Sequence, residues 1–539
     1  MPKPITRRTF LEFLGKGAAG ALLVPPFLAQ CTHEPFHRIR PIAPAAVDHI
    51  LLAQGFYYKI LIRWNDPISA TDRFGFNNDF TAFLPFDPEK PNDGILWVNH
   101  EYIHSGFVSG FWGKGEKSRD QVLEEMYSLG GSILRVRQKR NGWWEVVEND
   151  PLNRRITGQT DIPFQWPAPI WGRTSAMGTM ANCSGGVTPW GTILTCEENY
   201  DSFYGERDLQ TGGITRGEDK WYLHFDNPPE HYGWVVEVDP KTGVAKKHVA
   251  LGRCAHESAT VHQLADGRVV VYSGDDANNQ CLYKFIASEP GTLEKGTLYA
   301  ASLEENRWIP IDFASQPLLQ ERFTGQTEVL IRLREAAKML GGTPLDRPED
   351  VDIDPHTGAV LVSLTNNYDK KNMFGSILKI DEEGGDHAAL RFKHSTLVAG
   401  GYETGFACPD NMAFDAAGNL WFTSDMSGTV MGKEPYAEFL NNALFVMPRA
   451  GEQAGQILRV GVAPFDAEFS GPWFAPDGRT LFLSVQHPGE TSSRPDQITS
   501  HWPEGGDAMP RPAVITIRGK ALDELQRLSS ASGPTEAGR

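Results

Sequence analysis

The segment Trp190-Gly191-Thr192-Ile193-Leu194-Thr195-Cys196-Glu197-Glu198-Asn199 holds the pattern that decides the fold. A tight polar turn leads into a short β-prone run, which ends in a cluster of acids and an amide. The pattern recurs along the chain. Asn92-Asp93-Gly94 opens Ile95-Leu96-Trp97-Val98, which runs into Asn99-His100-Glu101, and Asp266-Gly267 opens Val269 to Tyr272, which runs into Gly274-Asp275-Asp276. His356-Thr357-Gly358 opens Val360 to Leu364 before Asn366-Asn367, Ala417-Gly418 opens Leu420 to Thr423 before Ser424-Asp425, and Asp477-Gly478 opens Leu481 to Val485 before Gln486-His487. Six copies on one chain are the mark of repeated small sheets. Their uneven spacing requires long insertions in some of them.

Helical periodicity is scarce; Asp120 to Met126 and Val329 to Leu340 are the clearest runs, and both read as insertions between strands. Many strands, 54 glycines and 37 prolines indicate an all-β chain, and about six repeats indicate a six-bladed β-propeller with long insertions and a few short helices. On this reading the recurring runs are the innermost strands, and the residues after them gather at one mouth of the central channel. Asn or Asp would serve as turn formers at a strand end as well as Glu does. Acids in tandem, or beside histidine or amide, point instead to a shared polar site.

Carboxylates and amides in such numbers suit hard cations, above all calcium with its six to eight oxygen ligands. Cys183 stands in Ala181-Asn182-Cys183-Ser184-Gly185-Gly186, just before the strand that delivers Glu197 and Glu198. A thiolate among carboxylates would select a softer metal such as iron, whereas a lone cysteine is ordinarily a small buried hydrophobe. Cys196, Cys254, Cys281 and Cys408 are read in that second way. No CxxC pair is present, so neither a zinc ribbon nor a disulfide framework is indicated.

Residues 1–30 read as an export signal: Arg7-Arg8 precede a weakly apolar run from Leu14 to Ala29, the layout of a twin-arginine leader. This implies the twin-arginine machinery as a partner and a periplasmic or extracellular destination. Cys31 is a candidate for lipidation, the one route to a membrane, although Gln30 poorly fits the small residue such a site wants. Residues 31–539 form a single domain on this reading, with an irregular tail from about residue 520. The formal charge is −17, more negative once Lys3, Arg7, Arg8, Lys16 and Glu12 are removed, which argues against nucleic acid as a partner. An acidic protein meeting an anionic ester would need cations at its site.

The run Gly178 to Thr192, continuing through Thr195-Cys196-Glu197-Glu198-Asn199, resembles the signature segment of PhoX-type bacterial alkaline phosphatases. Asn99-His100-Glu101, Gly252 to Glu257, Gly274-Asp275-Asp276, Arg347-Pro348-Glu349-Asp350, Pro409-Asp410-Asn411, and Gly471 to Gly478 with Gln486 to Glu490 follow in the same order. The resemblance spans about Gly94 to Glu490. It implies an exported alkaline phosphatase that hydrolyses small-molecule phosphate monoesters with ferric iron and calcium at the propeller mouth. By that likeness Cys183, Glu198, Glu257 and Glu349 are metal ligands, Arg347 holds phosphate oxygens as a fork, and Arg173 stands near the place of the family's lysine partner. Glu101, Asp276, Asp410 and Asp425 are further ligand candidates, and Glu197 faces either the cluster or solvent. His100, His256 and His487 orient carboxylates or are simply packed. Two other readings stay open: a calcium-dependent lactonase or esterase, and a non-catalytic binding propeller with a structural metal. The lactonase would need no thiolate, so Cys183 and Arg347 discriminate against it; metal content and phosphomonoester turnover separate all three.

Overall fold

The computed structural model describes residues 38–208 and 211–531, so Arg7, Arg8 and Cys31 lie outside the described residues. Six sheets, antiparallel except for one parallel pair in the second, follow one another along the chain and form a six-bladed β-propeller. Their first strands are Asn78–Pro85, Asn182–Val187, His256–Gln263, Pro348–Ile353, Pro409–Phe414 and Glu468–Phe474, here blades 1 to 6 in that order. Each first strand packs against the next, and the strand of blade 6 returns to that of blade 1, closing a ring around the channel.

The recurring apolar runs are the second strands, not the innermost ones. Asp93–His100 pairs with Asn78–Pro85, and Ile193–Glu197 with Asn182–Val187, in blades 1 and 2. Their continuous hydrophobicity has a packing cause. Leu96 and Val98 enter the core shared with blade 6, beside Phe482 and Val514, whereas Ile95 and Trp97 enter the core shared with blade 2, beside Ile193 and Val236. Blade 3 repeats the division, with Val269 and Val271 on one side and Val270 and Tyr272 on the other. A strand buried on both faces cannot alternate polar with apolar. A buried Leu such as Leu96 contributes about 1.5–3 kcal/mol by leaving water, so these paired cores hold the blades together.

Ring closure uses both ends of the described chain. Tyr57–Arg63 adds antiparallel to Ala513–Arg518 as the outer strand of blade 6, and Leu51–Leu52 extends blade 5 beside Leu458–Val462. The ring thus closes through backbone hydrogen bonds between the N-terminal strand and the last strand of blade 6. The segment from residue 520 is not an irregular tail: Lys520–Ala531 is a helix that buries Ala521, Leu522 and Leu525. The first expected helix spans Arg119–Ser128, started by a reciprocal Ser118–Gln121 capping box. The second is two helices, Gln326–Ile331 and Leu333–Met339, separated at Arg332. Among the described residues no helix is long and apolar enough to cross a membrane.

Candidate metal and substrate site at the propeller mouth

One local device repeats in all six blades and builds the site. The acid or thiol stands two residues after a turn residue, in Asn77-Asn78-Asp79, Ala181-Asn182-Cys183, Ala255-His256-Glu257, Arg347-Pro348-Glu349, Cys408-Pro409-Asp410 and Asp466-Ala467-Glu468. Five of the six turn residues are left-handed, with φ between 40° and 57°, although none is glycine; Ala255 is the exception. Such backbone costs roughly 1–3 kcal/mol per residue and persists where the surrounding fold imposes it. A bulge follows: residues 79 and 80, 183 and 184, 349 and 350, and 410 and 411 each set two residues against one of the second strand. A bulge re-aims side chains. One side chain per blade, Asp79, Cys183, Glu257, Glu349, Asp410 and Glu468, thereby lines the cavity at the mouth.

Second strands run towards this mouth, and the residue after each supplies a further group. Glu101, Glu198, Asp276, Asp425 and His487 line the cavity from five blades. Blade 4 offers Thr365 there, whose N–H donates to the Arg347 carbonyl, while Asn366 donates to Cys408 Sγ. Both ends of the first hairpin therefore meet at one place, in a cavity of about 340 Å³.

Donor atoms of Cys183, Glu198 and Glu257 lie within 4.8 Å of one another, as do those of Glu257, Glu349 and Asp410. Burial, then mutual repulsion, pushes the Glu257 and Glu198 carboxyls well above the usual carboxylate range, and burial with neighbouring acids does the same to the Cys183 thiol. Asp79, Asp410 and Glu468 are raised for the same reasons. Asp79 Oδ1 and Glu468 Oε2 are buried without any hydrogen-bond partner. Oxygens packed this way lack a positive partner that the described residues do not supply, and bound cations would provide it. The donor set fits: sulfur with two carboxylates for a soft ion, oxygens alone for a hard one.

Arg347 is the only lysine or arginine among the described residues lining the cavity. Its fork is already engaged: Nε and Nη2 each donate to Asp276 at 2.8 Å, and Nη2 stands 2.7 Å from Glu349 Oε1, an ion pair without hydrogen-bond alignment. A two-pronged grip on phosphate is thus replaced by a grip on Asp276, leaving Nη1 as the donor turned to no described partner. Asp276 in turn stands as the holder of Arg347 and approaches Glu198 with what remains of its carboxylate. Arg173 is not in the cavity; it is exposed, and its Nη1 donates to Asn227.

Glu197 faces neither cluster nor solvent. Its carboxylate points into blade 2, accepting from Lys247 Nζ at 2.6 Å and from the N–H groups of Gly233 and Trp234. Side chains alternate along a strand, so pinning Glu197 inside the blade turns Glu198 to the mouth. His100 and His256 are packed, each ring bonding a backbone carbonyl and a serine hydroxyl. His487 instead reaches the cavity: Nδ1 bonds the Asp466 carbonyl while Nε2 lies 3.5 Å from Glu468. Asp79 and Glu468 escaped the sequence reading, which watched second-strand ends; their signal was the tripeptide ending in an acid before each first strand.

The family described as alkaline phosphatase PhoX matches residues 37–489. The solved structure of Pseudomonas fluorescens PhoX in complex with vanadate, a transition state analogue, is 29% identical with a TM-score of 0.80, over 90% of this chain and 98% of that one. A gluconolactonase from Xanthomonas campestris also matches, at 11% identity and a TM-score of 0.33 over 90% of this chain and 100% of that one, too distant to bear on activity. No curated protein matches the sequence. The chain belongs to the PhoX alkaline phosphatase family.

Proposed function

We propose that this chain hydrolyses phosphate monoesters at the propeller mouth with ferric iron and calcium as cofactors. The observation that carries the proposal is the ring of one acid or thiol per blade, with Arg347 as the single guanidinium that lines it among the described residues. Cys183, Glu198 and Glu257 would hold iron, because sulfur among oxygens suits it better than calcium. Glu349 and Asp410 share the Glu257 side of the cluster, and Asp79, Glu101 and Glu468 offer oxygens alone, as calcium prefers. When bound there, such cations would supply charge neutralisation of the phosphate dianion and activation of water.

The chain's own residues do the rest. Asp276 fixes the Arg347 guanidinium so that Nη1 can donate to a phosphoryl oxygen without first paying to be ordered. Gln486 donates to Glu101 at 2.5 Å and holds that carboxylate in place. His487, bonded to the Asp466 carbonyl, does the same for Glu468. In the net reaction the water oxygen bonds phosphorus, the ester P–O bond breaks, and the alcohol leaves carrying a proton. Cys183 is buried and is assigned to metal, not to attack on phosphorus. Arg173 keeps no part in this reading. A lactonase would need neither the thiolate nor the guanidinium, so those two residues weigh against it.

Elemental analysis of chelator-free protein, paired with turnover of an aryl phosphate, tests the proposal. Iron and calcium should co-purify in fixed ratio, and chelation should abolish turnover with much of the thermal stability. A fully active metal-free protein refutes it. Export by the twin-arginine route, to the periplasm or beyond, follows from Arg7-Arg8 and suits a protein that folds around its metals first. Replacing both arginines by lysine should trap the precursor inside the cell, and normal secretion would remove that assignment.

A further inference from the structure

The outer wall of the same cavity differs from its floor. Loops that follow the second strands of blades 1, 2, 5 and 6 raise Tyr102, Ile103, Phe203, Asp219, Ser427 and Glu490 around the opening. A leaving group must lie against this wall while its phosphate sits on the floor. Two of these residues are acids, three are apolar or aromatic, and none is a lysine or arginine. The charge of Asp219 is not cancelled nearby: Lys117 lies 3.2 Å from it but sits 2.8 Å from buried Glu125, so the trio keeps one net negative charge. Asp219 is held in place by its own N–H, which donates to the Ser202 carbonyl. Burial raises its carboxyl to about 6, with the adjacent Lys117 opposing that shift. Glu490 accepts from the Gly428 N–H, and the Tyr102 ring stands 5.8 Å from that of His487.

We infer that this wall selects phosphate monoesters with a cationic or uncharged leaving group, quaternary-ammonium alcohols above all, and rejects esters that carry a further anionic group. The inference rests on the phosphatase reading and names its substrate class. A carboxylate or second phosphate on the leaving group would meet Asp219 and Glu490, and among the described residues no lysine or arginine lines this wall to receive it. A quaternary ammonium would find two carboxylates and an aromatic face, the pairing that favours such ions.

The test compares kcat/KM of the metal-loaded enzyme for phosphocholine, glycerol phosphate and phosphoglycerate, the last two differing chiefly by a carboxylate. Phosphocholine should match or exceed glycerol phosphate, and phosphoglycerate should fall below it about tenfold or more at low salt, with the gap narrowing at high salt. Asp219→Asn should shrink the phosphocholine-to-phosphoglycerate ratio at least about threefold, through loss of the one net negative charge of the trio. Glu490→Gln, which keeps the Gly428 hydrogen bond, should act in the same direction, and a melting curve shows that each variant is folded. Equal kcat/KM for the three esters, or ratios that neither variant moves, overturns the inference and leaves the phosphatase reading standing. No turnover of any ester with metals loaded overturns both.

Discussion

Replacing Arg347 by lysine separates the two roles that the mouth gives this residue. The guanidinium makes two charge-assisted hydrogen bonds to Asp276, each 2.8 Å, and a third contact of 2.7 Å to Glu349, while Nη1 stays available for substrate. A lysine keeps the charge but has one nitrogen, so it cannot hold Asp276 with two atoms and present a third to phosphate. Losing one charge-assisted bond to the transition state costs about 1.5–3 kcal/mol, or roughly ten- to 150-fold in kcat/KM. The assay is steady-state turnover of an aryl phosphate, with iron and calcium per chain measured on the same sample. Metal content should stay at the wild-type level, because Arg347 is no ligand. Asp276→Asn should lose activity in a way that does not add to Arg347→Lys, since both act on one contact. Full activity in Arg347→Lys refutes the substrate role, and a loss in proportion to missing metal would show that Arg347 acts only through the ligands around it.

Cys183→Ser exchanges a thiolate for a poor ligand and should deplete iron first while part of the calcium remains; elemental analysis showing iron unchanged would count against it. Lys247→Met leaves buried Glu197 without its counterion and should cost about 3–5 kcal/mol in chemical denaturation, with Glu198 and the metals disturbed as a consequence. His231 and His387 are buried with folded pKa values lowered to about 4 from 6.5, mainly by desolvation. Unfolding lets each take up a proton, so stability is fully present above pH 6.5 and declines as pH falls towards 4, by up to about 3 kcal/mol per residue. Denaturation midpoints at neutral and mildly acid pH check this, and His387→Gln should flatten the dependence.

The architecture was legible from local chemistry. Turn residues before apolar runs, six times over, specify short strands, and the unbroken hydrophobicity of Ile95 to Val98 specifies burial on both faces. The order of strands within a blade was not legible, because periodicity is the same for a first and a second strand. That ambiguity assigned the mouth acids to innermost strands when Glu101, Glu198, Asp276 and Asp425 directly follow second strands. Cys183, Glu257 and Glu349 were found through family likeness, since a lone cysteine or glutamate carries no pattern of its own. Asp79 and Glu468 were missed because their tripeptides match no motif and have meaning only as members of a six-fold set.

Sequence by itself determined the all-β class, the number of repeats, the acidic balance and the residue types available for metal. Tertiary structure decided which of those residues meet. Glu197 and Glu198 are chemically identical neighbours, yet one is pinned by Lys247 inside blade 2 and the other lines the mouth. Arg347 and Arg173 were both candidates for holding phosphate, yet only Arg347 occupies the turn position of a blade and faces the ring. The physical reason is that strand alternation, left-handed turns and bulges set the direction of each side chain, and ring closure then brings together residues hundreds of positions apart.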